Sequence, residues 1–206
     1  MFDLIVKGGT LPDGTISDIA IKGERITATG KVDAEAKRVI DASGDLVSPH
    51  FVDPHFHMDA TLSYGKPRVN ASGTLLEGIG LWGELREIAT VDEMVDRAVT
   101  YCDWAASMGL LAIRTHVDTT PDHLRGVEAM LEVKRRVAPY IELQLVAFPQ
   151  DGLYRTKTGR DNVIRALDMG VDVVGGIPHF ERTMEDGAAS MRDLARIAAE
   201  RGLMFD

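Results

Sequence analysis

Ser48-Pro-His-Phe-Val-Asp-Pro-His-Phe-His-Met-Asp59 is the stretch on which the reading of this chain turns. His55 and His57 stand two residues apart in a run that reads as a β-strand. Side chains at i and i+2 of a strand leave the same face. Two imidazoles on one face can share a divalent ion, and imidazole suits Zn, Fe, Cu and Ni. An isolated H-x-H is as compatible with two packed or solvated histidines as with a metal pair. The neighbours favour the metal pair. Leu46, Val47, Phe51 and Val52 lead in, two prolines punctuate the run and Asp59 closes it, which predicts a buried strand with the histidines at its end.

Upstream, residues 1–49 read as short strands and turns. Strand candidates at 2–7, 16–21, 25–29 and 37–41 are separated by Gly8-Gly9, Pro12-Asp13-Gly14-Thr15, Lys22-Gly23-Glu24 and a later Gly44-Asp45 turn. This spacing predicts a small antiparallel sheet. Downstream the pattern changes. Apolar strands at 51–58, 111–117, 142–147 and 171–177 alternate with helices. Thr90-Val-Asp-Glu93 is a capping box opening a helix that closes near Met108-Gly109. Thr120-Pro121 opens a second helix that runs to about Val137, with Pro139 just past it. Residues 160–169 form a third, ending at Gly170, and 191–201 a fourth, ending at Gly202. Alternating β and α implies a parallel sheet with helical crossovers, with domains at 1–49 and 50–206.

The strand ends carry the polar residues: His55, His57 and Asp59; then Arg114-Thr-His-Val-Asp118; then Phe148-Pro-Gln150; then Ile177-Pro-His-Phe-Glu181. Polar groups at the carboxyl ends of successive parallel strands are the pattern of a (β/α)8 barrel active site. An open doubly wound sheet places its site there too. Gly8-Gly9 opens no glycine-rich helix start, and no G-x-x-x-x-G-K-[ST] run occurs, so a phosphate-binding fingerprint is excluded.

Composition narrows the class. The 206 residues are 45% hydrophobic and 27% charged, ordinary for a globular protein. The net charge of −9 argues against nucleic acid and against anionic membrane surfaces as partners. One cysteine, Cys102, permits no internal disulfide and fits a reducing, cytoplasmic setting. It also excludes the H-x-E…P-C-x-x-C zinc deaminases, which need two neighbouring cysteines. The sequence shows neither a signal peptide at its start nor an apolar run long enough to cross a bilayer.

Taken together, P-H-F-H-M-D, R-T-H-V-D and V-A-F-P-Q behind a small β domain resemble the metal-dependent amidohydrolase superfamily. Asn70-Ala-Ser-Gly-Thr-Leu-Leu-Glu-Gly78, Met130-Leu-Glu-Val-Lys134 and Val173-Val-Gly-Gly-Ile-Pro-His-Phe-Glu181 are similar, within it, to the bacterial cytosine deaminases. The N-isopropylammelide amidohydrolases share H-x-H-M-D and R-T-H-V-D but look less similar around 73–78 and 178–181. The resemblance implies a (β/α)8 barrel preceded by a small β-sandwich. The chain would supply the first four barrel strands and, in Gly202-Leu-Met-Phe-Asp206, the start of the fifth. The family's further metal ligands and its proton-shuttling glutamate would then follow Asp206, leaving no catalytic acid or base assigned within these residues. Half a barrel leaves sheet edges unpaired, so the expectation is a partner, the remaining barrel half, as a second segment or chain.

The resemblance also implies roles. His55 and His57 would bind one divalent ion, Fe(II) or Zn(II). Gln150 would read the paired O=C–N–H edge of a pyrimidine, since a primary amide both donates and accepts. Leu75 would offer a backbone group to the substrate, and His179 would stand at the site mouth, either beside Glu181 on one face or paired with it in a loop. Read from their positions alone, His116 and Asp118 are compatible with a metal role but better suited to supporting the ligands from behind, Asp59 would orient a histidine or cap a loop, Trp82 belongs to a packing stripe that could reach the entrance, and His50 and His123 would stand aside. The expected activity is hydrolytic deamination of cytosine or a related aminopyrimidine by a self-associating protein. Another cyclic amidine (a triazine, isocytosine or creatinine) and a non-catalytic half-barrel are the alternatives.

Overall fold

A computed structural model describes residues 1–206, which divide into two compact units, Met1–His50 and Phe51–Asp206. In the first, β1 (Phe2–Thr10), β2 (Ile16–Lys22), β3 (Arg25–Gly30) and β4 (Ala36–Asp41) form one sheet in the order β3-β2-β1-β4. The β1–β2 and β2–β3 pairs are antiparallel. The β1–β4 pair is parallel, which corrects the expectation of a wholly antiparallel sheet. The reason is the path of residues 31–35. They carry the chain from one edge of the sheet to the other, so β4 runs in the direction of β3 and therefore of β1. Ile5, Ala20 and Val32 form the small core. Of the expected sandwich, these residues build one sheet.

In the second unit, β5 (Phe51–Phe56), β6 (Leu110–Asp118), β7 (Glu142–Phe148), β8 (Val173–Val174) and β9 (Met204–Phe205) lie side by side in chain order, every pair parallel. Between them come α1 (Leu75–Ile88), α2 (Val91–Ser107), α3 (Arg125–Val137), α4 (Gly159–Met169) and α5 (Met184–Arg201). Parallel strands in sequence order with helical crossovers are the first half of a (β/α)8 barrel. Alternate β6 and β7 residues and the inner stripes of α2 and α3 bury into a common core that includes Met94, Cys102, Ile113, Val127, Met130 and Leu145.

The local signals explain most element ends. Thr90 accepts from Glu93 N while the Glu93 carboxylate accepts from Thr90 N, the reciprocal box expected at the start of α2. Four elements depart from expectation. The strand before His55 is not buried: Leu46, Phe51 and Val52 are 68%, 65% and 60% exposed. β5 is an edge strand with a neighbour on one side only, which leaves Phe51 and Val52 more open than in a central strand, while Phe56 stacks on Tyr101. Helix α3 begins at Arg125 rather than at Pro121, because Leu124 takes a left-handed conformation (φ 50°) that interrupts the first turn. Helix α5 begins at Met184, seven residues before the expected 191, because Thr183 caps it by accepting from Asp186 N at 3.0 Å. The strand expected at 171–177 is regular only at Val173–Val174. Beyond it, Gly175 and Gly176 press so closely on Val146 and Leu194 that side chains there would collide.

Candidate active site

The carboxyl ends of β5 and β6 fasten one another. Met58 N donates to Thr115 Oγ1 at 2.8 Å, and Asp118 N donates to Asp59 Oδ2 at 2.9 Å. Met58 is fully buried and Asp59 is 1% exposed, so the two residues after His57 act as its anchor. His55 lies within β5 and His57 just beyond it. Their ring centroids are 5.4 Å apart, inclined at 71°. The fully buried His116 of β6 stands 4.0 Å from His55 and 5.6 Å from His57. Phe148, at the end of β7, meets the rings of both His57 and His116 edge to face.

Burial holds His57 neutral. It pushes the imidazole down to about 4, helped by the charges that His116 and His55 would carry and opposed by the His116 backbone carbonyl. Burial likewise lowers His116, against its hydrogen bond to Asp206. Burial raises Asp206, but the His116 hydrogen bond and the Arg114 guanidinium outweigh it and hold that carboxyl below its usual range. An ionised Asp206 only accepts, so His116 Nε2 carries the proton across the 3.0 Å contact. His116 Nδ1 is then a buried lone pair with no partner.

A cavity of about 650 Å³ opens over these strand ends. His55, His57, His116, Gln150, Trp82 and Asp206 face it, as do Leu75 at the first position of α1 and His179 in the 3-10 turn Pro178–Phe180. The sequence-derived candidates His55, His57, Gln150, Leu75 and His179 therefore share one cavity. Glu181 does not join them. Its carboxylate accepts from the N–H groups of Leu153 and Tyr154, so it ties down the loop after β7 and neither pairs with His179 nor shares its face. Asp59 caps the end of β6 rather than orienting a histidine. His123 accepts from Arg125 N at 3.2 Å at the start of α3, away from the cavity.

His55 and His57 fit as two neighbouring nitrogen donors for a divalent ion, one of them held neutral as ligation requires. Catalytic metal sites use about three protein ligands, and these residues form no cluster of three or more His, Cys, Asp or Glu arranged to hold an ion. An ion held here would need donors besides this pair. Sequence reading passed over Asp206, which closes on His116 from 90 residues away, and the arginine network described below; a lone terminal Asp and a helical Arg carry no local signal of either role.

Residues 38–206 match the model of the amidohydrolase family. The chain belongs to that family. Among solved structures, it superposes on 5-methylcytosine deaminase from Klebsiella pneumoniae, liganded with phosphonocytosine, with a TM-score of 0.91 and 37% identity, covering 98% of this chain and 50% of that one. N-isopropylammelide isopropylaminohydrolase from Burkholderia multivorans gives a TM-score of 0.80 and 26% identity over 100% of this chain and 52% of that one. The N-isopropylammelide isopropyl amidohydrolase of Pseudomonas sp. (strain ADP) is 31% identical over 100% of this chain and 52% of its own length. The chain thus spans about half the length of these relatives. No helix is long and apolar enough to cross a membrane.

Proposed function

We propose that this amidohydrolase chain is the substrate-binding, metal-binding half of a hydrolytic deaminase of cytosine or a related aminopyrimidine. The observation that carries the reading is the convergence of His55, His57 and Gln150 on one cavity of about 650 Å³, a size suited to a small heterocycle. The 37% identity to a 5-methylcytosine deaminase across nearly the whole chain supports the substrate class.

His55 and His57 would hold the ion, Fe(II) or Zn(II). When bound, such an ion lowers the pKa of its water to about 7 and so supplies a nucleophile at neutral pH. Gln150, 8% exposed in the cavity lining, would donate to the ring carbonyl and accept from the adjacent ring N–H. Leu75 would present backbone from the first turn of α1, and His179 would contribute a polar edge at the mouth. The apolar faces of Trp82 and Phe148 would exclude bulk water around the reacting carbon. His116, its proton fixed on Nε2 by Asp206, would hold neutral imidazole against the pair.

A second reading, an amidohydrolase acting on another cyclic amidine such as a triazine, rests on the 31% identity to the N-isopropylammelide enzyme over the full chain. Ammonia or amine release by the complete, metal-loaded protein from cytosine, 5-methylcytosine, isocytosine, creatinine and N-isopropylammelide separates the two. The proposal expects turnover on the aminopyrimidines in preference to the others. Release from N-isopropylammelide alone would replace it with the second reading, and turnover of none would remove both.

A further inference from the structure

Asp118 is the last residue of β6, and its side chain is 3% exposed. Its Oδ2 accepts from Trp82 Nε1 at 2.9 Å and from Arg86 Nη1 at 2.6 Å; its Oδ1 accepts from Thr120 N at 2.8 Å. Arg86 extends the same guanidinium to a second carboxylate, Asp151 Oδ2, at 2.7 Å. Asp151 follows Gln150 directly, and its own N–H donates to Thr120 Oγ1 at 3.2 Å. A single planar cation therefore joins three elements: helix α1, which carries Trp82, the end of β6, and the loop after β7, which carries Gln150. Trp82 and Gln150 both face the cavity.

This arrangement is costly to assemble unless it is used. Arg86 is 14% exposed, and its buried Nε has no hydrogen-bond partner, only the Glu87 carboxylate at 3.9 Å. A buried polar atom left unpaired opposes folding, and two acids and a base packed at a strand end contribute less to stability than apolar residues of the same volume often do. What the ion pairs supply is fixed geometry. Charge-assisted bonds to a guanidinium are short and directional, and a lysine, a point charge without the planar fork, fixes two carboxylates less rigidly.

We infer that Arg86 and Asp118 are positioning residues that hold the Trp82 wall and the Gln150 wall of the cavity at a fixed separation. They touch no substrate themselves. The inference rests on the aminopyrimidine reading of the cavity, and it names what sets the width of the slot into which a flat ring would enter. Small misplacements of substrate-contacting groups weaken binding and alignment strongly.

The test uses Arg86→Lys in the complete, metal-loaded protein, with Asp151→Asn, at the more exposed end of the clamp (31% exposed), as the variant least able to impair folding. Arg86→Lys is expected to raise KM for cytosine about tenfold while kcat stays within about threefold, the signature of lost binding rather than lost chemistry. Bound metal should not change. Combined with Gln150→Ala, the KM effects should be less than multiplicative, because the clamp acts through Gln150. A lowered Tm with unchanged KM, or KM effects that multiply, would overturn the inference. An arm independent of turnover follows the Trp82 indole N–H by hydrogen exchange, expected to quicken about tenfold in both variants. If no aminopyrimidine is turned over, the functional reading fails while this exchange still decides the clamp: unchanged exchange rejects it, and faster exchange sustains it.

Discussion

The backbone N–H of Asp118 donates to the Oδ2 of Asp59 at 2.9 Å, across 59 residues of sequence. This bond, with Met58 N on Thr115 Oγ1, sets the level at which His57 leaves the sheet. Burial first, and the Asp118 charge with it, raises the Asp59 carboxyl to about 7, against the stabilising backbone bonds from Asp118 and Ala60. A carboxyl raised in the fold above its ordinary value of 3.8 favours the folded state when protonated. Stability is therefore lost as pH rises from near 4 through about 7. Asp59→Asn keeps an acceptor and does not ionise. The Tm of the variant relative to the parent should rise by several degrees between pH 5 and pH 8, and a difference that stays level or falls would contradict the assignment.

Cys102 is fully buried in α2, with its Sγ 3.9 Å from Met58 Sδ, and burial pushes its thiol up to about 12. The thiolate is the reactive form. Native protein should therefore leave a thiol reagent unconsumed at pH 8 and take it up only on unfolding. Cys102→Ser should lower stability by about 1–3 kcal/mol, by placing a hydroxyl among apolar side chains.

Glu77 organises the segment leading into α1. Its carboxylate accepts from Ala71 N, Ser72 N and Arg68 Nη1, and Thr74 caps the helix by accepting from Glu77 N. The Ser72 hydroxyl and backbone bonds lead in lowering the Glu77 carboxyl to about 2 from an ordinary 4.5. A lowered carboxyl contributes order that is present above 4.5 and lost as pH falls toward 2. Exchange of the Ser72 amide should be slow at neutral pH, and should quicken in Glu77→Gln. Equal protection in parent and variant would show that the carboxylate does not hold this turn. The consequence reaches the cavity, because Leu75 follows within three residues.

Gly187, in the first turn of α5, faces the turn that carries His179. A Cβ there would lie 2.7 Å from the Pro178 carbonyl oxygen. Backbone on that side cannot yield as a flexible side chain would. Gly187→Ala should cost about 1–3 kcal/mol, read by denaturant unfolding, although alanine favours helix intrinsically. A stabilised variant would contradict the close approach.

Much of the barrel half was legible in sequence because its signals are local. The Thr90-Glu93 box, the apolar runs of β6 and β7, and Gly170 and Gly202 as left-handed helix ends each act within a few residues. The α3 start was not legible, because Pro121 is compatible with a helix there and only the surrounding structure turns Leu124 left-handed. Exposure of Phe51 and Val52 was hidden for a different reason: their side chains suit a central strand, and edge position is a property of topology. In the site, the H-x-H spacing brought two rings together as expected. Their approach to His116, the Asp206 contact and the Arg86 clamp depend on residues 30 to 90 apart in sequence, for which a single sequence offers no periodicity.

The central claim is that His55 and His57 grip a catalytic ion together. Metal content by elemental analysis of the complete protein, expressed with iron and zinc supplied, tests it most directly when set beside His55→Asn and His57→Asn variants of matched circular dichroism. The account predicts about one Fe or Zn per chain in the parent and under about a tenth of that in each variant. Full occupancy in both variants, or a parent that binds neither metal, would contradict it.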